Sequence, residues 1–230
     1  MEKRRSLQTI RRKKDDIKTI ALVGYTNTGK STLLNALTNA ETYVKNALFA
    51  TLDPTTRQWN VNGIPFLLVD TVGFLQDLPH NLIEAFHSTL ESTLHADLAL
   101  IVCDATGEYD MQLQTTLQTL EEMEFSAPYL VVMNKCENLT DFTSLPYGSI
   151  PVSAKENQGF EALKSAIINI FRNDFLFYDL YVPYTQTAEY EKIKKYANER
   201  KTEYFDEGKI VSVTIPSRYA ELFTTFIKQR

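Results

Sequence analysis

Cysteine, histidine and tryptophan are scarce in this chain: two, three and one in 230 residues. Two cysteines cannot staple a secreted scaffold. Cys103 and Cys136 fall in or beside apolar segments that read as buried strands, so both are expected to be reduced, buried thiols. No His/Cys cluster has the spacing of a metal site and no Ser-His-Asp set stands out, which argues against zinc enzymes and triad hydrolases. His87 and His95 read as solvated or packing residues, and His80, after Pro79, is assigned no role. Long apolar runs are missing too. The longest, Leu98–Cys103, is far short of the ~20 residues that span a bilayer, and no basic, apolar, small-residue leader pattern opens the chain. A cytoplasmic location away from the membrane is expected. No internal repeat or low-complexity tract is evident.

What is present is the composition of a soluble globular protein, 43% apolar and 23% charged, long enough for one full domain and a small second one. The net charge of −5 is uneven. Residues 1–18 hold eight Lys or Arg against Glu2, Asp15 and Asp16, a balance of +5 that leaves −10 on the other 212 residues. A basic arm on an acidic body suits a phosphate-rich partner such as RNA, and equally a solvated helix end. With only Leu7, Ile10 and Ile17 as apolar points, the arm has no core of its own.

The most informative stretch is Gly24-Tyr25-Thr26-Asn27-Thr28-Gly29-Lys30-Ser31, which fits G-x-x-x-x-G-K-[ST]. The apolar run Thr19–Val23 precedes it and a helical pattern, Thr32–Leu37, follows. That strand–loop–helix context is what a phosphate-cradling loop requires: backbone N–H groups turned inward and a helix N-terminus behind them. Lys30 can reach β- and γ-phosphates, and Ser31 can offer its hydroxyl to Mg²⁺. A nucleoside triphosphate is the expected ligand. Forty residues beyond Lys30 comes Asp70-Thr71-Val72-Gly73, at the end of a predicted strand. Asp70 is placed to hold Mg²⁺ directly or through water, and the Gly73 N–H to sense a γ-phosphate. Between them, Phe49-Ala50-Thr51-Leu52-Asp53-Pro54-Thr55-Thr56 is a hydroxyl-rich segment suited to a switch that offers Thr51 to Mg²⁺. Thr55 and Thr56 are not excluded on spacing alone.

Further on, Tyr129–Met133 runs into Asn134-Lys135-Cys136-Glu137, and Ile150–Val152 into Ser153-Ala154-Lys155. Adjacent strand ends here would close over a purine. A carboxylate two residues after Lys135 can accept from guanine's ring N–H and exocyclic amine together. Adenine presents a lone pair at the ring position and is repelled. The Ala154 N–H could meet the guanine carbonyl oxygen. Such a site discriminates by leaving buried polar groups unpaired with the wrong base.

Strands and helices alternate from Thr19 onward. Gln58–Val61, Asn62-Gly63 and Ile64–Val69 read as a hairpin with a tight turn. Leu82, Phe86, Leu90 and Leu94 mark a helix, as do Met111–Glu124 and Phe160–Phe171. Leu98–Cys103 and Tyr129–Met133 read as buried parallel strands, and Ile150–Val152 as a short one. The implied fold is an α/β P-loop NTPase: a doubly wound, mostly parallel sheet with one antiparallel edge hairpin. After Asp174 the composition changes. An aromatic strand over Phe175–Tyr184, a Lys/Glu helix over Thr187–Lys201, a turn at Glu207-Gly208, a strand over Lys209–Ile215 and a last helix to Lys228 make a small βαββα unit. The expected domains are 1–18, a basic helical linker end; 19–174, the nucleotide domain; and 175–230, the small α+β domain.

At Gly24–Thr38 (GYTNTGKSTLLNALT), Leu48–Arg57 (LFATLDPTTR) and Asp70–Phe86 (DTVGFLQDLPHNLIEAF) the chain resembles the HflX GTPases, and the likeness covers about residues 19–230. The resemblance implies a Mg²⁺-dependent, GTP-hydrolysing switch that binds the large ribosomal subunit and its rRNA. It implies Ser31, Thr51 and Asp70 as Mg²⁺ ligands, with Asn27, Lys30, Thr51 and Gly73 in catalytic positions. The expected nucleotide contacts are Gly24 to Thr32 (Tyr25, Thr26, Thr28 and Gly29 within it), Phe49 to Asp53, Asp70 to Gly73, and Asn134, Lys135, Glu137, Ser153, Ala154 and Lys155. Asn27 matches an asparagine that helps hold K⁺ against the phosphates in related GTPases. Phe74 stands where many GTPases carry the glutamine that orients water, so intrinsic hydrolysis is expected at or below the ~10⁻⁴ s⁻¹ of an unassisted GTPase.

Glu137 departs from the aspartate usual in the family, and its extra methylene shifts the carboxylate by about 1.5 Å. HflX proteins carry a large N-terminal domain and a helical linker before this region; residues 1–18 resemble the linker's end, which implies a fragment or a short member. A monomer is expected. The alternative reading is a nucleotide-binding interaction module with negligible hydrolysis. An ATPase is disfavoured by the Asn-Lys-x-carboxylate pattern.

Overall fold

Parallel strands buried on both faces need continuous apolar sequence, and two segments of this chain supply it almost without interruption. In the computed structural model, which describes residues 17–38, 55–71, 73 and 94–227, strand β1 (Lys18–Val23) and strand β4 (Leu98–Asp104) lie side by side at the centre of a sheet. Ile20 to Val23 and Leu98 to Cys103 are fully buried. Strands β2 (Thr55–Val61), β3 (Ile64–Asp70), β5 (Tyr129–Asn134) and β6 (Ile150–Pro151) complete six strands in the order β2-β3-β1-β4-β5-β6. β1, β3, β4, β5 and β6 run parallel. β2 is tied to β3 by the two-residue turn Asn62-Gly63, which only an antiparallel pair can accommodate. The expected doubly wound, mostly parallel sheet with an antiparallel edge hairpin is what the chain adopts. Thr55 and Thr56 belong to β2, so they extend the hairpin beyond the four residues read from the sequence.

Helices α1 (Lys30–Thr38), α2 (Tyr109–Glu122) and α3 (Phe160–Ile170) follow β1, β4 and β6. Their apolar residues recur at helical spacing. Leu113, Leu117 and Leu120 turn one face of α2 onto Ala99, Ile101, Cys103 and Met133. The strand order reverses at β1: the chain adds β2 and β3 on one side of it and then β4, β5 and β6 on the other. In such sheets the crevice beyond the strands' C-terminal ends at that reversal is where ligands sit.

The described residues form two compact units, one within Met1–Trp59 and Phe66–Lys164, the other within Asn60–Pro65 and Ser165–Arg230. In the second, β7 (Phe175–Pro183), β8 (Asn198–Tyr204) and β9 (Gly208–Pro216) form an antiparallel sheet in the order β7-β9-β8. Leu180, Val182, Val211, Val213 and Ile215 pack with Tyr190, Phe223 and Phe226 into its core. Two details differ from expectation. The predicted helix over 187–201 ends as α4 at Ile193, passes through a 3-10 turn, and gives way to β8. Its second half is rich in Glu, Arg and Lys because β8 is an exposed strand, and pairing with β9 overrides its helical composition. The last helix is a 3-10 segment, Ser217–Phe226, in which the three-residue spacing of Phe223 and Phe226 places both on the core side. Among the described residues no helix is long and apolar enough to cross a membrane.

Candidate functional site

Four parallel strands end at one edge of the sheet in a carbonyl-rich loop or a polar side chain: Gly24 after β1, Asp70 on β3, Asp104 on β4 and Asn134 on β5. The loop from Gly24 to Gly29 runs directly into α1, whose first residue is Lys30. Lys30 is 7% exposed. Its ammonium donates to Gly24 O at 3.0 Å and to Tyr25 O at 2.8 Å. Burial pushes its pKa down to about 8, against the pull of Asp70 and Cys103. Thr28 Oγ1 donates to Tyr25 O at 3.0 Å and stiffens the loop. The hydroxyl of Thr26, in the same loop, is buried with no hydrogen-bond partner among the described residues.

Ser31 Oγ donates to Asp70 Oδ2 at 2.6 Å, and Asp70 is 1% exposed. A hydroxyl and a carboxylate are the hard oxygen donors Mg²⁺ takes. Adjacent oxygens around an octahedral Mg²⁺ lie about 2.9 Å apart at its usual bond lengths, so a shift of a few tenths of an ångström would let both ligate one ion. These residues therefore fit Mg²⁺. Among the described residues no three His, Cys, Asp or Glu gather into a metal cage. Gly73 lies against the phosphate loop so closely that a Cβ there would stand 2.8 Å from Thr26 Cα and 3.0 Å from Lys30 Nζ.

The other two strand ends close the second half of the site. Asn134, 2% exposed, donates from Nδ2 to Thr28 O at 2.9 Å and accepts at Oδ1 from Ala154 N–H at 3.0 Å. One amide thus ties the phosphate loop to the loop after β6. The Ala154 N–H expected for a guanine carbonyl already has an acceptor, so a base oxygen there must share it. Lys135, in left-handed backbone conformation at φ 66°, reaches across to Asn27 O at 2.8 Å. Glu137 Oε2 accepts from Ser153 Oγ at 2.7 Å. That hydrogen bond, chiefly, holds the Glu137 carboxyl below the usual range. Lys155 is exposed beside Glu156, with its ammonium 3.6 Å from Glu156 Oε1.

Of the residues singled out in the sequence, Phe49, Ala50, Thr51, Leu52, Asp53, Val72 and Phe74 lie outside the described residues, as do His80, His87 and most of the helix read through Leu82–Leu94 and of the basic arm. Cys103 and Cys136 are free, buried thiols, and burial pushes that of Cys103 up to about 12. Asp104 is a neighbour that the sequence reading missed. Its Oδ2 accepts from Lys135 Nζ at 2.6 Å. The available signal was position: like Asp70 and Asn134, it is the polar residue that closes an apolar strand.

The family model described as 50S ribosome-binding GTPase matches residues 19–135. Among curated relatives, GTPase HflX of Caldanaerobacter subterraneus subsp. tengcongensis is 39% identical over 99% of this chain and 54% of its own length. GTPase HflX of Chlamydia pneumoniae is 38% identical over 92% of the chain and 47% of its own. The chain belongs to the 50S ribosome-binding GTPases, in their HflX branch. A similar solved structure is that of a GTP-binding protein from the hyperthermophilic archaeon Sulfolobus solfataricus, in complex with GDP. It shares 28% identity at a TM-score of 0.53, over 73% of this chain and 57% of that one. The HflX-type chain spans about half the length of the curated relatives it matches.

Proposed function

We propose that this chain is a guanine-nucleotide switch that hydrolyses GTP to GDP and phosphate with Mg²⁺ and acts on the large ribosomal subunit. The observation that carries this reading is the Asn134 amide. It bonds the phosphate loop on one side and the Ser153-Ala154 loop on the other, which makes a triphosphate site and a purine site two halves of one cleft. Glu137, kept ionised through Ser153, is an acceptor for guanine's two adjacent donors. The family description and the HflX names support the ribosome as partner.

In this reading Lys30 sets its positive charge against the β- and γ-phosphates, and the Gly73 N–H reports on the γ-phosphate. Ser31 and Asp70 would hold the ion, with Thr51 completing its protein ligands. When bound, Mg²⁺ neutralises charge that develops on the phosphate oxygens. Phe74 has no group to orient the attacking water, so turnover without a partner is slow. GTP turnover by the chain in KCl, with and without large ribosomal subunits, tests the proposal. Strong stimulation is expected; GTP binding with flat turnover would leave only a nucleotide-binding module.

Two further outcomes follow from particular residues. Asn27 is exposed at the tip of the phosphate loop, where its side chain can help hold K⁺ near the phosphates as an arginine finger would place its charge. Hydrolysis should be faster in KCl than in NaCl at equal ionic strength, and identical rates would end the idea. At the base, a charge-assisted hydrogen bond is worth about 1.5–3 kcal/mol. Restoring the shorter carboxylate with Glu137→Asp should therefore tighten GTP by about tenfold. No gain in a nucleotide titration would show that the loop already accommodates Glu.

A further inference from the structure

Asp104 ends β4 in register with Asn134 on β5, and its carboxylate is gripped from two directions. Oδ1 accepts from the Thr106 N–H at 3.0 Å and from Thr106 Oγ1 at 2.7 Å. Oδ2 accepts from Lys135 Nζ at 2.6 Å. The Asp104 N–H in turn donates to Gln112 Oε1 on α2 at 2.8 Å, which fixes the strand end from which the side chain projects. The Asp104 side chain is 17% exposed and that of Lys135 33%. Burial works against the charged carboxylate, yet Lys135 and Thr106 more than compensate and hold it below the usual range.

Lys135 needs such a fixture. Its side chain leaves the base-side loop and crosses to Asn27 O at the tip of the phosphate loop. A lysine held in one extended rotamer gives up most of its side-chain entropy. Its other acceptor among the described residues is a neutral carbonyl on an exposed loop residue. Asp104 adds a full countercharge on a strand end fixed by Gln112, beside the neutral acceptor on the phosphate loop. Charge-assisted bonds of this length are about twice as strong as neutral ones. The pair connects β4 to both loops without touching the Ser31–Asp70 pair or Gly73, and so lies apart from the groups that meet the terminal phosphate.

We propose that Asp104 is a positioning residue for nucleotide binding: it holds Lys135 across the cleft between the base loop and the phosphate loop, and so sets the affinity for GDP and GTP alike. The inference rests on the guanine-site reading above. It is tested by titrating fluorescent N-methylanthraniloyl-GDP and a non-hydrolysable GTP analogue into the full chain as wild type, Asp104→Asn, Lys135→Met and the double variant. Melting temperatures without nucleotide are measured alongside. Asp104→Asn should weaken both nucleotides about tenfold, in equal ratio, and the double variant should bind no more weakly than Lys135→Met. Should Asp104→Asn fail to fold, Thr106→Val loosens the same carboxylate from its other side and should weaken both nucleotides by about threefold. Additive losses in the double variant, a loss confined to the GTP analogue, or unchanged affinity in folded Asp104→Asn or Thr106→Val would each overturn the proposal. Unchanged affinity in Lys135→Met would instead overturn the guanine-site reading itself, and the role of Asp104 with it.

Discussion

Asn134→Ala is expected to weaken GDP about a hundredfold or more and to cost about 2–4 kcal/mol of fold stability. The side chain is almost wholly buried and both ends of its amide are used, one on Thr28 O and the other on the Ala154 N–H. Truncation strands a carbonyl and an N–H in a place that water reaches poorly. Each unmatched buried group costs about 1–3 kcal/mol. The fit around the amide is tight: a Cβ at Gly29, whose φ is +91°, would stand 2.4 Å from Asn134 Nδ2. Gly29→Ala therefore strikes the same joint from the opposite loop. Asn134→Asp keeps an acceptor for Ala154 but sets a second acceptor against Thr28 O, so it should lose the phosphate-loop side alone. Calorimetric melting without nucleotide, together with a GDP titration, checks both effects. Wild-type affinity in a folded Asn134→Ala protein would mean that this amide does not join the two loops.

The parts of the site that were legible in the sequence are those whose chemistry is local. Eight contiguous residues make the phosphate loop, and a strand before it and a helix after it can be read from hydrophobic pattern alone. Asn134 and the Ser153-Ala154 loop required only that two successive strands be neighbours, which is the common case in such sheets. The position of Asp104 at a strand end was legible, but its pairing with Lys135 was not, because the two lie 31 residues apart. Their meeting depends on the β4–β5 register, which a uniformly apolar run does not encode. The same limit explains β8. Asn198–Tyr204 carries four charged residues, and its first half, to Lys201, reads as the end of a helix, but nine residues of β7 and β9 pair in an apolar antiparallel core and leave β9 with a second edge to fill. Long-range pairing decided both cases, against or beyond the local signal.

Raising the pH from 7 to 9 is expected to weaken GDP about tenfold while making the free protein more stable by about 1 kcal/mol. Both effects come from Lys30, whose pKa is lowered from 10.5 to about 8 by burial. In the free protein it gives up its proton near pH 8, whereas the unfolded chain keeps its own until near 10.5. Between those values the unfolded state binds more protons, so stability rises with pH. A diphosphate beside the ammonium favours the charged form, so above pH 8 binding must take up a proton and affinity falls with each further unit. GDP's own terminal phosphate, with a pKa of about 6, is already ionised across the window. Cys103, at about 12, stays protonated. Titrations in Mg²⁺-free buffer at constant ionic strength would measure the slope. Calorimetry at pH 8.5 in two buffers of different ionisation enthalpy should register an uptake approaching one proton. Lys30→Met binds more weakly at every pH, since it loses the phosphate contact as well as its bonds to Gly24 O and Tyr25 O, but its affinity should be flat between pH 7 and 9. An equal slope in that variant and in wild type would assign the titration to another group and remove Lys30 as its source.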